Sequence, residues 1–143
     1  MQIAQLLKGR TSGDIVRCSP HTLLGDAVRT LAERRIGAMP VVEGSHVLGI
    51  VSERDVLYCL ASEGAQSLDK PVAEVMTAPV VSVTLTTSCD EALALMTERR
   101  FRHVPVLDGG KMCGFLSIGD LVKSRLDEVS HEAAALRDYI RLA

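Results

Sequence analysis

Two short stretches of this sequence place an aspartate three residues after a serine, Ser52 with Asp55 and Ser117 with Asp120. A carboxylate only accepts hydrogen bonds and can take them from both hydroxyls of a ribose diol, while a serine hydroxyl donates or accepts beside it. The same spacing is also a common helix start, in which serine caps the helix and the acid occupies the third position. The four residues are therefore candidate ribose ligands with a helix-capping alternative.

The two pairs belong to a longer internal repeat. Shifting residues 16–57 by 65 positions onto residues 81–122 needs no gap, and twelve of the forty-two aligned positions are identical. A register kept over this length indicates a duplicated supersecondary unit whose halves bury their apolar faces against each other. The whole chain is then one compact module, because a unit of about 60 residues buries little surface alone.

Each copy has the same order of expected elements. A short β-branched run, at residues 15–18 or 80–83, predicts a strand, and apolar residues at helical spacing predict a helix after it. Two further apolar runs separated by an acidic residue and glycine predict a β-hairpin. A second helix begins at each Ser-x-x-Asp pair. The fold class is α+β, with the order β-α-β-β-α present twice.

Flanking segments complete this arrangement. Residues 3–7 and 72–76 each predict a helical turn that leads into a copy, and residues 8–13 form a flexible connector after the first turn. Arginine pairs, at residues 34–35 and 99–100, close the first helix of each copy. Cations complement the negative end of a helix dipole, and a direct role with phosphate is the alternative.

Composition argues against several classes of function. A hydrophobic share of 47% includes no apolar run near the roughly 18 residues of a membrane span. A net charge of −2, with two Phe, two Tyr and no Trp, argues against nucleic-acid binding. The four cysteines form no C-x-x-C motif, so we expect reduced thiols and no metal site. We expect no catalytic residues and, without a signal-like N-terminus, a cytoplasmic location.

The paired pattern of helix, apolar-Pro-Val, acidic-Gly and Gly-x-x-Ser-x-x-Asp resembles the tandem CBS domain, or Bateman module. The resemblance covers nearly the whole chain, with repeats at residues 3–61 and 72–126 and a C-terminal helix at 127–143. It implies two repeats packed about a pseudo-twofold axis, with clefts between them for AMP, ATP, NAD or S-adenosylmethionine. It also implies a small stand-alone bacterial CBS pair, since no catalytic domain is left over.

This resemblance and the residue chemistry give a candidate site. The ribose residues are Ser52, Asp55, Ser117 and Asp120. An adenine slot needs apolar walls, and its candidates are Val16, Cys18, Ala38, Met39, Pro40, Val81, Val83, Val104 and Pro105. Phosphate needs cations and donors, and its candidates are Arg54, Arg102 and His103. Core packing is the alternative for the adenine set, and a solvated surface position is the alternative for Arg54.

The two clefts are expected to differ. Arg102 and His103 stand where the first copy has Gly37 and Ala38, so phosphate should be held more firmly near one cleft than near the other. A histidine in this position adds a donor whose charge varies near neutral pH.

The leading interpretation is a non-enzymatic, adenine-nucleotide-binding regulatory or sensor module. Ligand bridging the repeats would shift their arrangement, and an unknown partner in trans would detect it. The alternative is a protein-interaction or scaffold module with empty or structural clefts. The C-terminal helix has an apolar stripe of Leu126, Val129, Ala133, Leu136 and Ile140. This stripe must be covered by its own module or by a second chain, and we expect a homodimer because twofold homodimers are the commonest oligomers.

Overall fold

The computed structural model describes residues 1–142 and confirms the α+β class with two repeats. A short helix, α1 (Ile3–Leu6), comes first. The first repeat contains α2 (Leu24–Arg34), β1 (Ala38–Glu43), β2 (His46–Ser52) and α3 (Glu53–Glu63). The second repeat contains β3 (Val83–Thr84), α4 (Cys89–Arg99), β4 (His103–Asp108), β5 (Lys111–Ser117) and α5 (Ile118–Leu142). Single 3-10 turns lie at Ser12–Asp14, Ala65–Asp69 and Val72–Glu74.

Both predicted hairpins are present and share one register. Ala38 pairs with Ser52 in the first hairpin, and His103 pairs with Ser117 in the second. Gly44 at the first turn has φ +63°, a conformation that glycine adopts without steric conflict. Each Ser-x-x-Asp pair therefore starts where its hairpin ends, directly opposite the first residue of the partner strand.

The first strand of each repeat is shorter than the sequence predicts. In the first repeat only Cys18 forms a bridge: its N–H donates to the carbonyl of Pro40 at 3.2 Å, and its carbonyl accepts from the N–H of Val42 at 2.8 Å. In the second repeat only Val83–Thr84 pairs with β4, in parallel. The residues before these contacts are not paired in the sheets, and Ile15, Val16, Val80 and Val81 among them line the clefts between the repeats.

The segments that lead into the repeats are exchanged. Ile3 of α1 packs in the core of the second repeat, and its N–H donates to the carbonyl of Thr87 at 2.9 Å. Val72 packs in the core of the first repeat, and its N–H donates to the carbonyl of Thr22 at 2.7 Å. Each core is therefore completed by a segment that precedes the other repeat in sequence, and the two repeats stabilise each other.

The C-terminal part of the chain is one continuous helix, α5. The expected boundary between residues 126 and 127 falls inside this helix, and Ala143 of the expected C-terminal segment lies outside the described residues. No helix within residues 1–142 has the length and apolar character to cross a membrane. Within the same residues, His, Cys, Asp and Glu side chains form no group of three or more that could hold a metal ion.

Candidate functional site

Two clefts lie between the repeats, and each contains one Ser-x-x-Asp pair. The first cleft has a volume of about 540 Å³ and contains Ser117 and Asp120. The second cleft has a volume of about 610 Å³ and contains Ser52 and Asp55. Both volumes are typical of small-ligand pockets, which span roughly 300–1,000 Å³. The residues that border both clefts are Gly37, Ala38 and His103.

Asp55 begins α3 and is held by a network of hydrogen bonds. Its Oδ2 accepts from the N–H of Ser52 at 2.9 Å and from Ser52 Oγ at 3.0 Å, while Ser52 Oγ accepts from the N–H of Asp55 at 3.3 Å. Its Oδ1 accepts from Thr77 Oγ1 at 3.0 Å. The helix start expected from the sequence, a capping box in which serine and acid each accept from the other's N–H, is therefore present at α3. Since a carboxylate offers about four acceptor sites, Asp55 can cap the helix and still accept from a ligand hydroxyl.

Asp120 occupies the equivalent place at the start of α5. Its Oδ2 accepts from the N–H of Ser117 at 2.9 Å and from Ser117 Oγ at 3.1 Å. Its Oδ1 lies 3.6 Å from Nη2 of Arg10. Arg10 belongs to the stretch expected to be a flexible connector, and it lines the first cleft. Asp120 is thus paired with a cation from the connector, whereas Asp55 is paired with the hydroxyl of Thr77.

The clefts also differ in charge. The second cleft is lined by four arginines and two acids, namely Arg54, Arg99, Arg100, Arg102, Glu53 and Asp55. The first cleft is lined by two arginines and two acids, namely Arg10, Arg35, Asp14 and Asp120. The second cleft therefore has an excess of two positive charges, and the first is balanced. The predicted phosphate residues Arg54 and Arg102 lie together in the second cleft.

Three of the nine predicted adenine residues line a cleft: Val16 the first, Val81 the second and Ala38 both. The other six line neither cleft and are Cys18, Met39, Pro40, Val83, Val104 and Pro105. Five of these, all except Cys18, are buried. Cys18 is half-buried at its bridge to β1, and burial raises the pKa of its thiol to about 11.

His103 lies at the border of the two clefts. Its ring stacks on Phe115 with the centroids 5.6 Å apart and the planes 14° apart. Burial lowers the pKa of His103 below its ordinary value, and Arg102 adds to this, while Asp120 and Glu53 act in the opposite direction. This direction favours the uncharged imidazole, which has one N–H donor.

Several cleft residues were missed by the sequence analysis, namely Arg10, Asp14, Thr77 and Phe115. Arg10 lay in a stretch without apolar periodicity, and the contact of Thr77 with Asp55 spans 22 residues. Phe115 aligns with Ile50 in the repeat. Of the four, only Phe115 lies inside the repeat, and its counterpart Ile50 lines the second cleft, so the repeat was a signal for Phe115 alone.

Known proteins match this architecture. The sequence model of the CBS domain matches residues 10–62 and 72–127. "CBS domain-containing protein CBSX3, mitochondrial" of Arabidopsis thaliana is 34% identical over 140 residues, which cover 94% of this chain and 68% of that protein. A crystal structure of a CBS-domain-containing protein from Agrobacterium tumefaciens superposes with a TM-score of 0.80 at 41% identity, over 87% of this chain and 99% of that chain.

A further crystal structure shows a CBS-pair protein of Arabidopsis thaliana, CBSX2, in complex with AMP. It is 27% identical to this chain, with a TM-score of 0.76, and the match covers 88% of this chain and 96% of that chain. This chain belongs to the CBS domain family and contains two CBS repeats.

Proposed function

We propose that this chain is a non-enzymatic regulatory module that binds adenosine-containing ligands of the AMP, ATP or NAD type in its two clefts. The observation that carries the proposal is that each cleft contains a carboxylate fixed at a helix start, Asp55 or Asp120, with acceptor capacity for ribose hydroxyls. The AMP complex of CBSX2, a relative with the same fold, supports the choice of ligand class.

The second cleft is the better phosphate site in this proposal. None of its four arginines forms a salt bridge with an acid in residues 1–142. Guanidinium groups match phosphate oxygens in paired hydrogen bonds. We therefore expect the second cleft to prefer phosphorylated adenosine over adenosine, and the balanced first cleft to discriminate less.

Signalling would follow from the architecture of the clefts. Residues of both repeats line the second cleft, among them Ala38 and Asp55 of the first repeat and Val81 and Arg102 of the second. If the repeats can adopt two arrangements, a ligand that contacts both repeats stabilises the arrangement that it binds more tightly. The size of this effect is set by the difference between its two affinities. A partner protein in the cytoplasm, acting in trans, would then bind one arrangement in preference to the other.

A scaffold module is the second candidate, and one observation favours it. Both Ser-x-x-Asp pairs are already satisfied as helix starts, and Arg10 is paired with Asp120 without any ligand. In that case the clefts would contribute to the fold only. Ligand-dependent stability separates the two candidates.

Adenine nucleotides are expected to raise the melting temperature more than guanine or pyrimidine nucleotides do. A ligand that binds the folded state adds RT ln(1 + [L]/Kd) to its stability, which is about 2.7 kcal/mol at a hundredfold excess over Kd. Differential scanning fluorimetry with AMP, ADP, ATP, NAD and S-adenosylmethionine measures this. If none of the five at millimolar concentration changes the melting temperature, the scaffold module is the better description.

The C-terminal helix supports a homodimer as part of the proposal. Leu126, Val129, Leu136 and Ile140 of its stripe are between 46% and 63% exposed, so this chain does not cover them itself. On α3, Leu57 and Tyr58 are each 64% exposed. A second copy is the occupant we propose for these surfaces, because isologous contacts bury the same patch on both chains.

The double variant Leu136→Glu with Ile140→Glu should dissociate this dimer. Two buried carboxylates replace two apolar contacts, so the dissociation constant should rise roughly a hundredfold or more. His131→Glu is the matched control, since it adds a carboxylate on the opposite face of α5. Sedimentation velocity across a concentration series measures the change. A wild-type chain that sediments as a monomer at all concentrations would contradict the dimer.

A further inference from the structure

The residue after the first helix of each repeat is an arginine in the left-handed conformation. Arg35 follows α2 with φ 53° and ψ 47°, and Arg100 follows α4 with φ 59° and ψ 42°. Glycine is the usual residue at this position because it has no Cβ to conflict with the backbone. Within residues 1–142 these two arginines are the only non-glycine residues with positive φ. Both repeats thus carry arginine where the backbone favours glycine.

Structural roles do not account for the two side chains. The last turns of α2 and α4 already contain Arg34 and Arg99, which complement the helix dipole. Arg35 and Arg100 are exposed, and neither lies within 4.0 Å of an acidic group in residues 1–142. The left-handed ends of both helices would form at least as readily with glycine.

The two side chains do share one environment. Arg35 lines the first cleft and Arg100 lines the second, at equivalent positions of the repeat. A left-handed residue that the fold does not require points to a functional cause. We propose that Arg35 and Arg100 are phosphate-binding residues, one for each cleft. This inference rests on the proposed function and names, for both clefts, the cation that contacts the ligand phosphate.

The surroundings differ between the two positions. In the second cleft Arg100 acts beside Arg54, Arg99 and Arg102. In the first cleft the other arginine, Arg10, is paired with Asp120, which leaves Arg35 as the cation without an acidic partner among the described residues. The relative loss of phosphate binding on removal should therefore be larger for Arg35 in its cleft than for Arg100 in its own.

Glycine substitution tests the inference because it should maintain or raise the melting temperature while it lowers the affinity for AMP. Arg35→Gly and Arg100→Gly relieve the left-handed backbone and remove the guanidinium together. We expect the melting temperature without ligand to stay the same or rise, and the affinity for AMP to fall about tenfold or more at the affected site. Adenosine, which has no phosphate, should bind as it does to wild type. Arg34→Ala is the matched control, since Arg34 is an exposed arginine that lines neither cleft.

Calorimetric titration of AMP and adenosine, together with melting curves, gives the readout. Unchanged AMP affinity in both glycine variants, or equal losses for AMP and adenosine, would overturn the inference. A lower melting temperature without ligand would also overturn it, because the arginines would then be structural. If wild type binds neither AMP nor adenosine, the proposed function itself fails, and this inference fails with it.

Discussion

Replacing Asp55 by asparagine is expected to lower the affinity for AMP in the second cleft by about ten- to a hundredfold, because a hydrogen bond to a charged group contributes roughly 1.5–3 kcal/mol. Asn keeps one carbonyl oxygen, which can still accept from the N–H of Ser52, and its amide can donate to Thr77 Oγ1. The helix start is therefore preserved, while the acceptor for a ribose hydroxyl is lost.

A cap elsewhere in the chain provides the control for this substitution. Ser88 caps α4, and its Oγ accepts from the N–H of Glu91 at 3.0 Å, but Ser88 lines neither cleft. Ser88→Ala should lower the free energy of unfolding by about 0.5–2 kcal/mol without changing AMP affinity. Asp55→Asn should lower AMP affinity and leave the free energy of unfolding nearly unchanged. If calorimetry gives wild-type AMP binding for Asp55→Asn, the carboxylate serves only the helix start.

The equivalent change in the first cleft should have a smaller effect. Asp120 already has an Arg10 partner at 3.6 Å, so a ribose hydroxyl there must share the carboxylate or displace the guanidinium. We therefore expect the first cleft to bind AMP more weakly than the second in wild type, and Asp120→Asn to remove the weaker of two calorimetric phases. The double variant Asp55→Asn with Asp120→Asn should bind AMP more weakly than wild type at both clefts.

The parts of the fold that the sequence predicts are those with local signals. The acidic residue and glycine at each turn, with the apolar runs on either side, specify the hairpins. Serine three residues before an acid specifies the start of α3 and of α5. The internal repeat then shows that both copies use these signals at the same places. Asp55 and Asp120 could be chosen as candidate ligands for this reason, before any three-dimensional contact was known.

The rest depends on contacts that have no local signal. The apolar residues of α1 would look the same whichever repeat covered them, so the exchange of lead-in segments could not be predicted. Met39 and Val104 were assigned to an adenine slot because apolar strand residues suit either a pocket or a core, and the structure places them in the core. Positive φ at Arg35 was not expected, because glycine is the sequence signal for that conformation.

Gly49→Ala is expected to lower the free energy of unfolding by about 1–3 kcal/mol, the usual cost of overpacking a close contact. A Cβ at Gly49 would lie 2.6 Å from Met76 Sδ and 2.9 Å from the carbonyl oxygen of Thr77. The contact exists because the lead-in segment of the second repeat packs on the hairpin of the first, with the N–H of Ile50 donating to the carbonyl of Thr77 at 3.0 Å. A backbone carbonyl held in this way cannot move aside without breaking its bridge.

The repeat provides two matched comparisons for this substitution. Gly114 is the equivalent residue, where a Cβ would lie 2.6 Å from Leu7 Cδ1, the end of a side chain that can rotate, so Gly114→Ala should cost less. A Cβ at Gly13 has no neighbour within 4 Å, and its replacement should be neutral or slightly stabilising. Urea denaturation of the three variants measures their free energies of unfolding, and we expect the largest loss for Gly49→Ala. Equal losses of stability for Gly49→Ala and Gly13→Ala would contradict this expectation.

The same substitution should also affect the second cleft. Displacing the carbonyl of Thr77 moves its hydroxyl, which donates to Asp55 Oδ1 at 3.0 Å and helps to fix the carboxylate. AMP affinity should therefore fall in Gly49→Ala at a temperature where the variant remains folded, whereas Gly114→Ala should leave the second cleft unchanged. Loss of stability with wild-type binding at both clefts would show that the lead-in contact supports the core without positioning Asp55.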